Sequence, residues 1–270
     1  MDKKAKDPVA LLRRGFYHYT NRRFREAKSC WERVARLQPG WAIAWYNLGL
    51  ALRHLGKRSQ ALQMLQQALK QDPTFLDAYV ERALLYEELG VSRKAMQEYH
   101  RALRSAPASP IVNYNLGSLL FDQGRYAEAR LCFRQVLHVD PTHAPSHDYI
   151  GLIAGERNRS KQEIQAHERA LLLEPWNAIF MNNLGYALLK RGALEKAQDC
   201  FDYAIHLDWT NDIAYYNRAH VCYLQRDIPG VIKNLALAIR HNPTQRTYLR
   251  NSKDFKEIRK LPSFRKLMVA

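Results

Sequence analysis

Small, bulky and helix-breaking residues recur along this chain with a period of 34. Proline marks the beat at Pro39, Pro73, Pro107, Pro141, Pro175 and Pro243, and Trp209 stands where one further proline would fall. Taking the proline as slot 32 of each unit frames seven units: 8–41, 42–75, 76–109, 110–143, 144–177, 178–211 and 212–245. Slots that played no part in setting the frame obey it. Slot 8 reads Gly15, Gly49, Ala83, Gly117, Gly151, Gly185 and Ala219. Slots 20 and 27 are almost all small, from Ala27 and Val34 in the first unit to Val231 and Ala238 in the last. Slot 24 is bulky: Trp31, Leu65, Tyr99, Phe133, His167, Phe201 and Leu235. Glycine costs a helix ~1 kcal/mol against alanine. Its recurrence at slot 8 therefore predicts a second helix pressed too close for a side chain. Gly56, Gly90, Gly124 and Gly192 at slot 15, with Asn158 in the fifth unit, predict a left-handed residue ending the first helix of each pair. Asp72-Pro73 and Asp140-Pro141 predict the end of the second, because proline cannot continue a helix.

A fixed period of this size predicts stacked helix–turn–helix units. The run Trp45, Leu48, Gly49, Leu52, Gly56, Ala61, Leu65, Ala68 and Pro73 resembles the tetratricopeptide repeat family. So do Asn115-Leu116-Gly117 with Gly124 and Pro141, and Asn183-Leu184-Gly185-Tyr186 with Gly192. The resemblance extends over about 238 of the 270 residues. It implies an all-α fold, a right-handed superhelical solenoid of antiparallel helix pairs. First helices would line the concave face and second helices the convex one. The expected organisation is a basic lead at 1–7, seven repeats over 8–245, and a basic capping helix or tail at 246–270. In the tail, Phe255, Ile258 and Leu261 have helical spacing, Asp254 with Glu257 resembles a capping box, and Pro262 breaks the run.

Charge is uneven. Most of the net +16 resides in the ends: residues 1–41 hold 11 Lys and Arg against 4 acids, and residues 246–270 hold 8 against 2. Arg13, Arg14, Lys253, Lys256, Arg259 and Lys260 are thus candidate contacts for a polyanion, either a nucleic acid or an anionic membrane surface. The alternative is that terminal units need charged outer faces for solubility. No signal peptide and no transmembrane run is expected. Cys30, Cys132 and Cys200 share slot 23 two or three units apart, too far for a disulfide. With Cys222 they read as structural thiols of a cytoplasmic protein.

Catalytic motifs are missing: no phosphate loop, no nucleophile elbow and no paired-His zinc helix. His143, His147 and His167 share one unit, but Pro145 interrupts a helix joining the first two, and slots 4 and 24 face the core. No metal, cofactor or enzymatic activity is expected. In that same fifth unit Glu163 replaces the alanine of slot 20. Ser160 with Glu163 reads as a capping box, and the unit is a candidate hinge.

The candidate site is the concave face. Slot 6 carries Asn47, Asn115, Asn183 and Asn217. An asparagine amide offers an acceptor and two donors, matching a peptide bond, and the row is similar to the asparagine ladder of some family members. Tyr46, Tyr114 and Tyr216 at slot 5 supply contact area. The expected function is a non-enzymatic scaffold gripping an extended segment of another protein. Family members that hold acidic chaperone tails use a clamp of Lys and Asn at fixed slots. Here those slots read Leu12, Phe16, Asn47, Asp77 and Glu81, so a chaperone tail is not the expected partner. The pattern leaves self-association open.

Overall fold

The computed structural model describes residues 7–269, and every regular element among them is helical. The chain falls into two compact units, one ending at Val139 and the other starting at Asp140. The first holds α1 (Pro8–Thr20), α2 (Phe24–Leu37), α3 (Ala42–His54), α4 (Arg58–Gln71), α5 (Leu76–Glu88), α6 (Ser92–Ser105), α7 (Pro110–Asp122) and α8 (Tyr126–Val139). The second holds α9 (Ala144–Glu156), α10 (Ser160–Leu173), α11 (Ala178–Lys190), α12 (Leu194–Leu207), α13 (Asp212–Leu224), α14 (Ile228–His241), α15 (Gln245–Asn251) and α16 (Pro262–Val269). From α1 to α14, helices of 13 and 14 residues alternate, which is where the 34-residue period comes from.

In the five pairs with a slot 8 glycine, that glycine receives the slot 24 side chain. A Cβ placed on Gly15, Gly151 or Gly185 would lie 2.2 Å from Trp31, 2.6 Å from His167 and 2.7 Å from Phe201. Slots 20 and 27 are sealed in nearly every pair, with Ala27, Ala61, Ala95, Ala129 and Ala197 fully buried. Close backbone approach on the small side and a filled gap on the bulky side produce interior packing density without voids.

The turns explain two irregularities. Slot 15 is left-handed in all seven pairs: Gly56, Gly90, Gly124, Gly192 and Asn158 as expected, but also Arg22 (φ 58°) and Arg226 (φ 63°). The turn demands this conformation, since the next residue's N–H bonds back to close the helix, as Arg23 does to the His18 carbonyl at 2.8 Å and Asp227 to Cys222 at 2.9 Å. A non-glycine residue there is strained by Cβ crowding against the following carbonyl oxygen, at roughly 1–2 kcal/mol. Arg226→Gly should therefore raise the thermal midpoint of the chain by a few degrees, read by circular dichroism, whereas a lowered midpoint would mean the arginine side chain outweighs the backbone strain.

The second irregularity is Trp209. Asp208 accepts from the N–H and hydroxyl of Thr210 at 3.0 and 2.6 Å, just as Asp140 does from Thr142 at 2.9 and 2.6 Å. The aspartate turn holds this link, so proline can be replaced. Slot 4 closes the same link from the other side. Trp45, Tyr79, Asn113 and His147 each reach the carbonyl of the preceding proline, at 2.7, 3.1, 3.0 and 3.0 Å. Four residue types satisfy one orphan acceptor, so composition alone hides the role.

The C-terminal segment departs from the expected single capping helix. Phe255 is left-handed (φ 57°) and the 255–261 stretch forms only a 3₁₀ turn, Lys256–Ile258. Pro262 starts α16 rather than ending a helix, because proline suits a first helical position. The apolar residues still bury as a cap would: Leu249, Phe255, Ile258 and Phe264 close over Leu235 and Ala238 of α14.

Candidate functional site

The expected row of asparagines divides into sealed and accessible members. Asn47 is 1% exposed and its Nδ2 has no hydrogen-bond partner. Asn217 is buried too, its Nδ2 donating to Asn182 Oδ1 at 3.0 Å. Asn115 and Asn183 are half-buried. Asn183 donates to Asp148 Oδ2 at 2.9 Å. The tyrosines divide similarly. Tyr46 packs on Phe75 with ring centres 5.0 Å apart, and burial pushes its phenol pKa up, with Glu81 and Asp77 adding to the rise. Tyr114 meets Phe133 edge-on at 6.0 Å. Tyr216 is covered by the C-terminal segment, lying against Tyr248 and Phe255, and its hydroxyl donates to Asp254 at 2.5 Å. Burial, then that bond, raises the Tyr216 phenol; the Tyr216 bond first, with Ser252 adding to it, lowers the Asp254 carboxyl against the opposing effect of burial. Asp254 thus anchors the segment and does not cap a helix.

In the second unit Asn183, Asn217 and Tyr216 line a cavity of about 520 Å³. First helices contribute Asn182, Asn183 and Tyr186 from α11, and Ile213, Asn217 and His220 from α13. Thr244, Gln245 and Tyr248 close one end, and Glu163 and His167 of α10 form the other. The wall therefore consists of first-helix slots 2, 5, 6 and 9, the face that the resemblance assigns to binding, plus a contribution from a second helix that the sequence did not suggest.

That contribution overturns the capping-box reading of Ser160 and Glu163. Ser160 is the first residue inside α10, the preceding Arg159 makes no side-chain cap, and the Glu163 carboxylate turns inward. Its Oε1 bonds Lys190 Nζ at 2.6 Å, with Glu163 almost wholly buried. Space for it comes from Gly155, where a Cβ would fall 2.5 Å from that oxygen. Slot 12 holds Arg53, Phe121 and Tyr223 in other pairs, so the large-to-glycine change at Gly155 compensates for the alanine-to-glutamate change at Glu163. The second glycine of α9, Gly155, outside the repeating slot 8, was the signal. Beside it, His167 Nδ1 lies 2.7 Å from Asp148 Oδ1, and both side chains are buried. The polar groups of the fifth pair thus join α11 of the sixth in a chain, Asn183 to Asp148 to His167, with the Glu163–Lys190 pair alongside.

The other histidines of that pair go elsewhere: His143 accepts from the Ser146 N–H at 3.3 Å and His147 reaches Pro141. Among the described residues no group of three His, Cys, Asp or Glu side chains could hold a metal ion. All four cysteines are free, and burial pushes the Cys132 and Cys200 thiols up to about 11. Of the basic candidates, Arg13, Arg14, Lys253, Lys256 and Lys260 are exposed, while Arg259 is half-buried and contacts the Leu249 carbonyl at 3.4 Å. No helix among the described residues is long and apolar enough to cross a membrane.

Tetratricopeptide repeat models match residues 42–75 and 80–144. With the repeated helix pairs already described, this places the chain: it carries tandem tetratricopeptide repeats in an all-α helical repeat fold. A tetratricopeptide repeat protein from Parabacteroides merdae superposes on 97% of this chain and 99% of its own with a TM-score of 0.72 at 18% identity. The peroxisomal targeting signal receptor of Eremothecium gossypii is 25% identical over 207 residues, 64% of this chain and 36% of the receptor. The type IV pilus assembly protein PilF of Pseudomonas aeruginosa is 30% identical over 148 residues, 53% of this chain and 59% of PilF. The chain thus spans only about a third of the first of these relatives and under two thirds of the second.

Proposed function

We propose that this chain is a non-enzymatic interaction scaffold that takes an extended segment of a partner protein against its first helices, to assemble or localise a complex. The observation that carries the reading is the cavity of the second unit, whose wall is drawn from slots 2, 5, 6 and 9 of successive first helices and is rich in amides. Rigid helices present those amides and tyrosines at little entropic cost to the scaffold. The relatives agree in kind, being named for a targeting receptor and a pilus assembly factor. Asn115 and Asn183 are the more exposed ladder positions; Asn217, though buried, lines the cavity, and Asn47 is sealed. Glu81, tied to Arg53 at 2.6 Å, opposes an acidic chaperone tail at the first unit.

The test is a partner recovered with the full chain and then titrated against Asn115→Ala/Asn183→Ala. Two lost amide contacts should weaken binding about tenfold, with the helical circular dichroism unchanged. Equal affinity for both forms would make the asparagines structural and remove them from the site.

The exposed Lys253, Lys256 and Lys260 support a second reading, contact with a polyanion. It requires binding that falls steeply with added salt. Liposome flotation and RNA gel shift at physiological salt that both show nothing would end it.

A further inference from the structure

The chain carries 42 Lys and Arg against 26 Asp and Glu, yet the second-unit cavity has no Lys or Arg in its wall and two carboxylates, Glu163 and Asp254. The polar atoms there that lack partners ask for a donor. Glu163 is 3% exposed and lines the cavity, and while Oε1 is bonded to Lys190, Oε2 has no hydrogen-bond partner. The Gln245 amide oxygen, at the other end of the same wall, is likewise unpartnered. His167 is fully buried, with Nδ1 2.7 Å from Asp148 Oδ1, and its Nε2 also has no partner. Buried polar groups are normally satisfied, and a cluster of unsatisfied acceptors around one space indicates what that space accommodates. Asp254 stays charged, because hydrogen bonds from Tyr216 and Ser252 hold its carboxyl low. Lys190, which borders the wall, is already committed to Glu163.

We propose that this cavity is an anchor site for a basic side chain, a lysine ammonium or arginine guanidinium, carried by the bound segment. The proposal rests on the groove reading above and adds the chemistry of its anchor. Glu163 Oε2 accepts from the cation at its end of the cavity, and Asp254 adds a second negative charge at the covered end. Tyr186 and Tyr248 flank the aliphatic stem, as long basic side chains require apolar cover below a charged head. A carboxylate, whether a peptide C-terminus or an acidic side chain, would face the Asp254 charge and the unpartnered Glu163 oxygen, with Lys190 already bonded to Glu163 Oε1. The long-range field of a chain at +16 repels a basic peptide, so any preference for one has to come from local contacts in this cavity.

The experiment uses four pools of fluorescein-labelled nonapeptides, acetylated and amidated, of uncharged residues with the central position held as Lys, Arg, norleucine or Glu. Each is titrated by anisotropy against the full chain. The Lys and Arg pools should bind about tenfold tighter than norleucine, the increment of a charge-assisted hydrogen bond, and the Glu pool should bind worst. Glu163→Gln should reduce the Lys pool to the norleucine level, and Asp254→Asn, which keeps acceptors for Tyr216 and Ser252, should remove part of the preference. Lys binding no better than norleucine, with all pools bound, overturns the anchor and leaves the groove standing. Failure of every pool to bind overturns both. A preference that survives Asp254→Asn and Glu163→Gln in folded protein places the cation elsewhere and also overturns the proposal.

Discussion

Phe201→Ala should destabilise the second unit by roughly 3–5 kcal/mol, and Gly185→Ala in the same chain should add nothing to that loss. Phe201 is fully buried against Gly185, and a methyl on Gly185 would lie 2.7 Å from its ring. Alone, Gly185→Ala overpacks the contact and should cost about 1–3 kcal/mol. Combined with Phe201→Ala, the new methyl enters the space the ring has left. The two changes should therefore couple favourably by about 1 kcal/mol or more, as residues in contact do. Urea unfolding followed by circular dichroism, with hydrogen exchange reporting α11 and α12 separately, measures the cycle. Strict additivity would mean the helices part without regard to this contact, and the close-approach account of slot 8 would fall with it.

His167→Phe should cost about 3 kcal/mol, although phenylalanine is what slot 24 holds in the pairs containing Phe133 and Phe201. The ring shape fits the Gly151 cradle that His167 occupies. The loss is electrostatic: Asp148, 5% exposed, keeps only the Asn183 amide and faces an apolar ring. Replacing Asp148 as well, as in Asp148→Val/His167→Phe, should recover most of the stability, since an apolar pair of similar volume leaves no buried charge without a partner. Thermal unfolding of the two variants reads the difference. A single variant as stable as the parent would show that the histidine is packing material and that its bond to Asp148 contributes little.

These two contacts mark the boundary between what repeats and what is particular. The Gly185–Phe201 contact was legible because the same small–bulky pairing recurs at a fixed spacing along the chain, and recurrence averages out local noise. The Asp148–His167 and Glu163–Lys190 contacts occur in one pair only, so no periodicity announces them. Glu163 followed Ser160 at the spacing of a capping box, and local spacing cannot tell a carboxylate that turns back to its own helix from one that turns inward. The compensating glycine, Gly155, was in view, but only the packing of α9 on α10 gives it meaning. Asn115 and Asn47 likewise share a slot and differ in exposure. What separates them is the neighbouring helix, which no single-helix pattern contains.

The amino-acid sequence alone determined the helix pairs, their length, the glycine contacts between them and the turns that end them, because each depends on residues within one 34-residue unit and is repeated. Tertiary structure decided which asparagines meet solvent, that the tail folds over Tyr216 as short helices instead of one, and that one second helix lends a buried carboxylate to the cavity wall. Those outcomes depend on side chains brought together from different pairs. Burial and hydrogen-bond satisfaction, which select among them, are properties of the assembled neighbours and not of any segment by itself.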